Sequence, residues 1–196
     1  VGIIFGANIG TTITAYLVGL KVEKYSLFFI FVGAMMLLFS KRKKQGYIGE
    51  ITLGFGMLFY GLMLMGDALK VLKDIQAFHD LTLMMSNQPW LAVGGGIIMT
   101  GIIQSSSAMI GIIQKIYEAG GMPFAAALPF VFGSNIGTTV TAALAAMGGS
   151  LASRRAAGIH TLFNVMMTIV AMFMLPIYIS IVDYLTSLMG LEPMMQ

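Results

Sequence analysis

The chain has 196 residues, of which 58% are hydrophobic and 10% charged, with a formal net charge of +3 and no cysteine. Soluble domains carry about 25% charged residues, so this composition excludes an ordinary soluble protein and indicates a polytopic membrane protein. The small net charge gives no sign of nucleic-acid binding, and the absence of cysteine leaves the redox compartment undetermined.

Three apolar segments in the first third of the chain are interpreted as transmembrane helices: residues 1–20, 25–39 and 47–69. The first contains the glycine- and hydroxyl-rich motif Phe5–Ala15. Because glycine adopts backbone angles that are closed to other residues, Gly6 and Gly10 predict a break in this helix. The basic loop Lys41–Lys44 separates the second and third segments.

Residues 70–90 change in composition, with charged residues followed by Ser86, Asn87, Gln88 and Pro89. We interpret this stretch as an extramembrane amphipathic linker. It divides the chain into residues 1–69, the remainder of a first repeat with connecting helices, and residues 91–196, a second repeat.

The second half contains three further apolar segments, at residues 91–118, 124–147 and 156–182. Gln104–Ala108 interrupts the first of them, and Phe132–Ala142 is a second copy of the early glycine-rich motif. Gly133 and Gly137 predict a break in this copy too. Such a duplicated break is typical of transporters built from structural repeats, whose broken helices meet near the bilayer midplane.

The two basic clusters, Lys41–Lys44 and Arg154–Arg155, allow a test of topology, since basic loops favour the cytoplasm. Both clusters are cytoplasmic only if residues 91–118 form a re-entrant hairpin folded at Gln104. The two motif copies then run in opposite directions. The predicted fold is therefore an all-α polytopic membrane protein with inverted structural repeats, a re-entrant helical hairpin and broken transmembrane helices. A first glutamine–serine motif is expected before Val1, in a longer protein.

The polar groups at the interruptions are neutral hydroxyls and amides, which suit a hard monovalent cation or an oxyanion. They do not suit a transition metal, because the chain has no cysteine and only the separated His79 and His160. Nor do they suit hydrolysis, because no base lies near the serines in sequence. We therefore expect no enzyme activity, no resident metal and no cofactor. His160 and Asn164 share a helix face and are interpreted as structural residues that cap a helix or hydrogen bond between helices.

Charge is scarce around these motifs. Between Leu91 and Ser153 the only charged residues are Lys115 and Glu118, well away from both interruptions. A desolvated anion in such a site is costly unless helix N-termini and co-bound cations offset its charge. The sequence thus predicts cation-coupled anion transport.

Three motifs, in this order, resemble the sodium/phosphate cotransporter family, the type II group and its bacterial relatives: Gln104–Ala108, Gly133–Ala142 and Arg154–Asn164. Gly6–Ala15 matches the same family as a first-repeat copy. The resemblance implies sodium-driven movement of inorganic phosphate through a multi-pass protein of the plasma membrane. The implied partners are phosphate, Na⁺ as coupling ion, and lipid, with no nucleic acid; a homo-oligomer is left open.

The resemblance also implies roles for individual residues. Phosphate would be held by Ser105, Ser106, Ser107 and Asn135, with Asn135 also bracing the break. Sodium would be held by Gln104, Ser107, Thr138 and Thr139, with Asn8, Thr11 and Thr12 closing the site from the other half. Four alternatives stay open: another tetrahedral oxyanion, an export direction, a phosphate-binding membrane sensor or scaffold, and a channel.

Overall fold

The computed structural model describes residues 2–20 and 22–190, and within these ranges the secondary structure is helical with no strand, which confirms the all-α fold class. The described helices are α1 Gly2–Gly19, α2 Ser26–Phe39, α3 Lys43–Leu69, α4 Gln76–Asn87, α5 Pro89–Ile103, α6 Ser106–Glu118, α7 Phe124–Ala146, α8 Leu151–Phe173 and α9 Leu175–Leu188. Short 3-10 turns, Glu23–Tyr25 and Lys70–Asp74, precede α2 and follow α3.

Within the described ranges, four helices are long and apolar enough to cross a membrane: Gly2–Gly19, Lys43–Leu72 (α3 continued into the 3-10 turn), Phe124–Ala146 and Leu151–Phe173. Helix α5, with 15 residues, and α6, with 13, are too short to cross, since at 1.5 Å per residue they extend for about 22 Å and about 20 Å. The chain is therefore built as a polytopic membrane protein in which α5 and α6 are each shorter than a full span.

Helices α2 and α3 form an antiparallel pair held by glycines. A Cβ added at Gly33 would overlap the backbone of Leu53, and one at Gly56 would lie 2.6 Å from the amide nitrogen of Ile30. Helices packed through glycine approach to backbone contact, which compensates for the weak hydrophobic force between helices in lipid. This pair is the first of two glycine-packed helix pairs in the fold.

The second glycine-packed pair is α5 and α7. Gly96 lies against the carbonyl of Phe130, Gly133 against the carbonyl of Val93, and Gly137 against Ile97. The residue numbers increase together along both helices, so α5 and α7 are parallel. Helix α6 begins just after the end of α5 and ends just before the start of α7. Because α5 and α7 are parallel, α6 must run back from the end of α5 to the side where both helices start. The chain therefore reverses at Gln104, and the predicted hairpin is confirmed as a feature of the fold.

The two motif copies lie on helices that run in opposite directions. The end of α1 lies beside the end of α6, where Gln114 Nε2 donates a hydrogen bond to the carbonyl oxygen of Ala15 at 3.3 Å. Helix α7 begins at that same side of the protein, at Phe124, and runs away from it. The opposite directions agree with those expected from the basic clusters. That the two halves are structural repeats stays a prediction.

The predicted breaks at glycine are wrong. Helix α1 is continuous through Gly6 and Gly10, and α7 is continuous through Gly133 and Gly137. Glycine retains its N–H and C=O groups, so the helical hydrogen-bond ladder continues unless another partner competes for them. In α7 the glycines instead provide room for the backbone of α5.

The last predicted span, residues 156–182, is also not one helix. Helix α8 starts earlier, at Leu151, and ends at Phe173, after which α9 starts at Leu175. The cause is Pro176, which has no amide hydrogen and is accommodated at the beginning of a helix.

A buried ion-pair cluster joins the 3-10 turn Glu23–Tyr25 to the hairpin. The ammonium of Lys115, whose side chain is 6% exposed, contacts the carboxylate of Glu23 and lies 2.8 Å from that of Glu118. The aliphatic stem of Lys115 passes over Gly66 of α3, where an added Cβ would lie 3.1 Å from its Cδ. The cluster thus ties three helical elements together at one end of the fold.

We expect Lys115→Met to lower the free energy of unfolding by about 1–3 kcal/mol, because two carboxylates lose their buried partner while remaining partly accessible to water. The control is Lys70→Met, which removes an exposed pair with Asp67 and should change stability by less than about 0.5 kcal/mol. Thermal unfolding in detergent measures both. Equal effects of the two substitutions would contradict a stabilising role for the buried cluster.

Candidate functional site

The hairpin reverses at Gln104, where the backbone adopts a left-handed conformation with φ of 61°. It is the only non-glycine residue with positive φ in residues 2–20 and 22–190. This conformation is uncommon for a residue with a long side chain and persists where the surroundings hold it. The amide N–H of Gln104 donates to the carbonyl of Thr100 at 2.7 Å, which closes the end of α5.

The Gln104 side chain connects α5 to α7. Its Nε2 donates to the carbonyl oxygen of Gly101, and its Oε1 accepts a hydrogen bond from the Thr141 hydroxyl. The side-chain amide therefore bridges the broken end of α5 and the second glycine-rich motif. It leaves the remaining lone pair of Oε1 available to a ligand.

Helix α6 starts directly after the break with three serines. Ser105 is its N-cap, with an extended backbone and a hydroxyl that accepts the N–H of Ala108 at 3.2 Å. The next two residues, Ser106 and Ser107, occupy the first turn, where backbone N–H groups have no partner within the helix. All three serines are half-buried. A helix N-terminus with free N–H groups and hydroxyls is suited to binding an anion.

On α7, the threonines expected to bind sodium are bonded to their own helix. Thr138 donates to the carbonyl of Ser134 at 3.0 Å, and Thr139 donates to that of Ile136 at 2.7 Å. A hydroxyl that donates its proton retains lone pairs, so both oxygens can still coordinate a cation. Asn135 is half-buried and makes no side-chain hydrogen bond within the described residues. It braces no break, because α7 is continuous there.

The residues of the first motif copy lie elsewhere. Asn8 Nδ2 donates to Oδ1 of Asn164 on α8 at 3.0 Å, which confirms an interhelix role for Asn164. Thr11 bonds back to the carbonyl of Ala7, and Thr12 is exposed. In the described part of the chain, no hydrogen bond joins these three residues to Gln104 or to the serines. The structure therefore joins Gln104 at the turn to Thr141 of α7, beside the serines that begin α6. Among the described residues, no hydrogen bond joins Asn135, Thr138 or Thr139 to this turn, so their place in the site stays a prediction.

The site is electrically neutral in its side chains. Lys115 lies nine residues along α6 from Ser106, or on the order of 13 Å, and is paired with Glu23 and Glu118. An anion at the start of α6 would therefore be met by N–H groups and hydroxyls, and the one ammonium of the hairpin is engaged elsewhere. The low charge expected from the sequence is retained in the fold.

Two residues at the site had no role assigned from the sequence. Thr141 belongs to the duplicated motif, but its bond to Gln104 depends on the parallel packing of α5 and α7, which sequence alone does not show. Thr100 is a single hydroxyl in an apolar segment, where hydroxyls commonly bond back to the helix. In the fold it is fully buried, one turn before the break.

Long apolar helices around a helical hairpin define a polytopic membrane protein, and neutral polar groups at the turn of such a hairpin are typical of secondary transporters. Two overlapping stretches, residues 1–67 and 60–194, match the family described as Na⁺/Pi-cotransporter. The chain belongs to this family and is a multi-pass protein of the cell membrane.

Individual relatives carry different names, two of which refer to phosphate. The chain is 29% identical to "Uncharacterized protein YqeW" of Bacillus subtilis over 83% of the chain and 53% of that protein. It is 26% identical to "Putative inorganic phosphate export protein YjbB" of Salmonella typhimurium over 86% and 31%, respectively. It is 31% identical to "Sodium-dependent phosphate transport protein 2B" of Homo sapiens over 60% and 18%. The chain thus spans about half or less of these relatives. No solved structure matches it.

Proposed function

We propose that the protein takes part in sodium-coupled transport of inorganic phosphate across the cell membrane. The observation that carries the proposal is the serine-bearing N-terminus of α6, placed at a chain reversal in a hairpin whose one cationic residue, Lys115, lies at the far end of α6 and is paired with carboxylates. N–H groups there can bind an oxyanion, but the neutral surroundings do not balance its charge. A co-bound cation supplies that balance, which makes the coupling a physical requirement.

The two sides of the break suit different ions. The last carbonyl groups of α5 carry partial negative charge and favour a cation. The first N–H groups of α6 carry partial positive charge and favour an anion. We therefore assign phosphate to the N–H groups and hydroxyls of Ser105–Ser107. We assign Na⁺ to oxygens on the other side: the amide of Gln104 and the hydroxyls of Thr138 and Thr139. Four further residues stay predicted ligands that would contact the ions when the two halves close on the site: Asn135 for phosphate, and Asn8, Thr11 and Thr12 for Na⁺.

Nothing in this arrangement calls for catalysis. The serines have no histidine or carboxylate bonded to them in the described residues, so none is activated as a nucleophile. Transport without chemical change of the substrate also agrees with membership of a transporter family.

The direction of transport is the main alternative. One relative is named for sodium-dependent transport and another for phosphate export, and the local chemistry of the hairpin is the same for both directions. Other tetrahedral oxyanions would meet the same N–H groups. We favour inorganic phosphate because both names refer to it.

Radiolabelled phosphate uptake by the full-length protein in proteoliposomes tests the proposal. We expect uptake with an inward Na⁺ gradient, and at least a tenfold lower rate when choline replaces Na⁺. Excess unlabelled sulfate distinguishes phosphate from other oxyanions, and preloaded vesicles report export. Phosphate binding without movement in either direction would replace transport with the sensor alternative. Equal uptake in Na⁺ and choline would contradict the coupling.

A further inference from the structure

Thr100 carries a buried hydroxyl that has no hydrogen-bond partner among the described residues. The residue is 0% exposed. Several other helical threonines bond back to the carbonyl four residues earlier, as Thr52 does to Ile48 and Thr161 to Ala157. A buried hydroxyl without a partner costs on the order of 1–3 kcal/mol, so the position of Thr100 calls for a ligand that is not part of the chain.

The hydroxyl belongs to the same seam as the Gln104 bridge. The carbonyl of Thr100 accepts the N–H of Gln104, which places the two residues one helical turn apart on α5. On α7, Gly137 faces Thr100, since a Cβ added there would lie 2.7 Å from the threonine Cβ. One turn further along α7 is Thr141, the partner of the Gln104 amide. Thr100 and Gly137 therefore form a layer directly next to the layer of Gln104 and Thr141.

The electrostatic surroundings of the Thr100 hydroxyl favour a cation over an anion. Thr100 lies in the last turn of α5, where the helix dipole and the final carbonyls are negative, whereas the anion-binding N–H groups belong to α6 on the other side of the break. Neighbouring layers are one helical turn apart, about 5.4 Å along the backbone, so side-chain oxygens that extend toward each other from the two layers can ligate one ion.

We propose that the Thr100 hydroxyl is a further oxygen ligand of the transported monovalent cation, which binds in the α5–α7 seam between the Thr100 and Gln104 layers. The inference rests on the proposed sodium coupling and names a residue beyond it. Gly137 contributes by letting α7 pack directly against Thr100, which brings the layer of Gln104 and Thr141 close to the hydroxyl. A buried water in the same place is the competing explanation, and it has different consequences for sodium.

The test uses the full-length protein and the variants Thr100→Val and Thr100→Ser. Melting temperature is measured in detergent against NaCl, with choline chloride keeping ionic strength constant. Valine has the shape of threonine without the hydroxyl. We expect it to raise the half-saturating Na⁺ concentration at least tenfold, the factor that corresponds to about 1.4 kcal/mol. Its melting temperature without Na⁺ should be unchanged or higher, because the unpaired hydroxyl is gone. Serine should retain sodium affinity within about twofold of the wild-type value.

Controls separate the possible failures. Thr168→Val removes a buried hydroxyl of α8 that bonds to the carbonyl of Phe132, and it should leave the sodium response unchanged. Thr100→Ala serves as a second variant without the hydroxyl if valine does not fold. If the wild type responds to Na⁺ and both Thr100→Val and Thr100→Ala keep that response in full, Thr100 is not a sodium ligand and the buried water is favoured. The sodium coupling itself would still stand. A wild-type protein without any response to Na⁺ would overturn the sodium coupling together with it.

Discussion

Gly133→Ala is expected to prevent stable folding of the hairpin against α7. The added Cβ would overlap the carbonyl oxygen of Val93, and the overlapped atoms are backbone, which cannot rotate away as a flexible side chain can. Overpacking of this kind typically costs about 1–3 kcal/mol and more where nothing can move. We expect a loss of about 3 kcal/mol, measured by thermal unfolding in detergent, with much of the protein lost to aggregation.

The matched control is Gly54→Ala on α3, where an added Cβ meets nothing within 4 Å. Because alanine is the better helix former, this change should leave stability unchanged or raise it by up to about 1 kcal/mol. If Gly133→Ala behaved like Gly54→Ala, the backbone contact between α5 and α7 could not be as close as described.

Gln104→Ala is expected to lower sodium-driven phosphate uptake at least a hundredfold. It removes the amide that bridges Gly101 and Thr141, and with it an oxygen assigned to Na⁺. Alanine also tolerates a φ of 61° poorly, so a second variant is needed to separate strain from chemistry. Gln104→Gly accepts that backbone readily and should fold at least as well as the wild type, yet should show the same loss of uptake.

The control is Gln114→Ala, which removes a side-chain amide at the other end of α6. The hydrogen bond that it removes joins α6 to α1. It should reduce uptake by less than about threefold. Full uptake by Gln104→Gly would mean that the position serves only the backbone turn, and the sodium assignment of the side chain would fail.

The sequence predicted the hairpin well because two independent signals agreed. Polar residues from Gln104 to Ser107 are costly within an apolar segment unless the backbone there serves a site, and the two basic loops required a reversal at the same place. Element bounds also followed closely, since α2 and α7 end within one residue of the predicted segments. Long apolar runs leave few alternatives to helices in a membrane.

The glycine-rich motifs were harder to interpret, because glycine permits two opposite outcomes. It allows a helix to break, and it also allows two helices to touch. Gly133 and Gly137 do the second, which depends on a neighbour more than thirty residues away in sequence. The same long-range packing decides the partner of Thr141 and the isolation of the Thr100 hydroxyl. Local composition carries no information about either.

Backbone-to-backbone contact between α5 and α7 has a mechanical consequence. Gly96 of α5 and Gly133 of α7 each lie against a carbonyl of the opposite helix, so sliding one helix along the other would drive carbonyls into main chain on both sides. The two helices can therefore tilt or translate only together, as one rigid body. Any rearrangement that changes the access of the serines from one side of the membrane to the other must therefore move α7 together with α5.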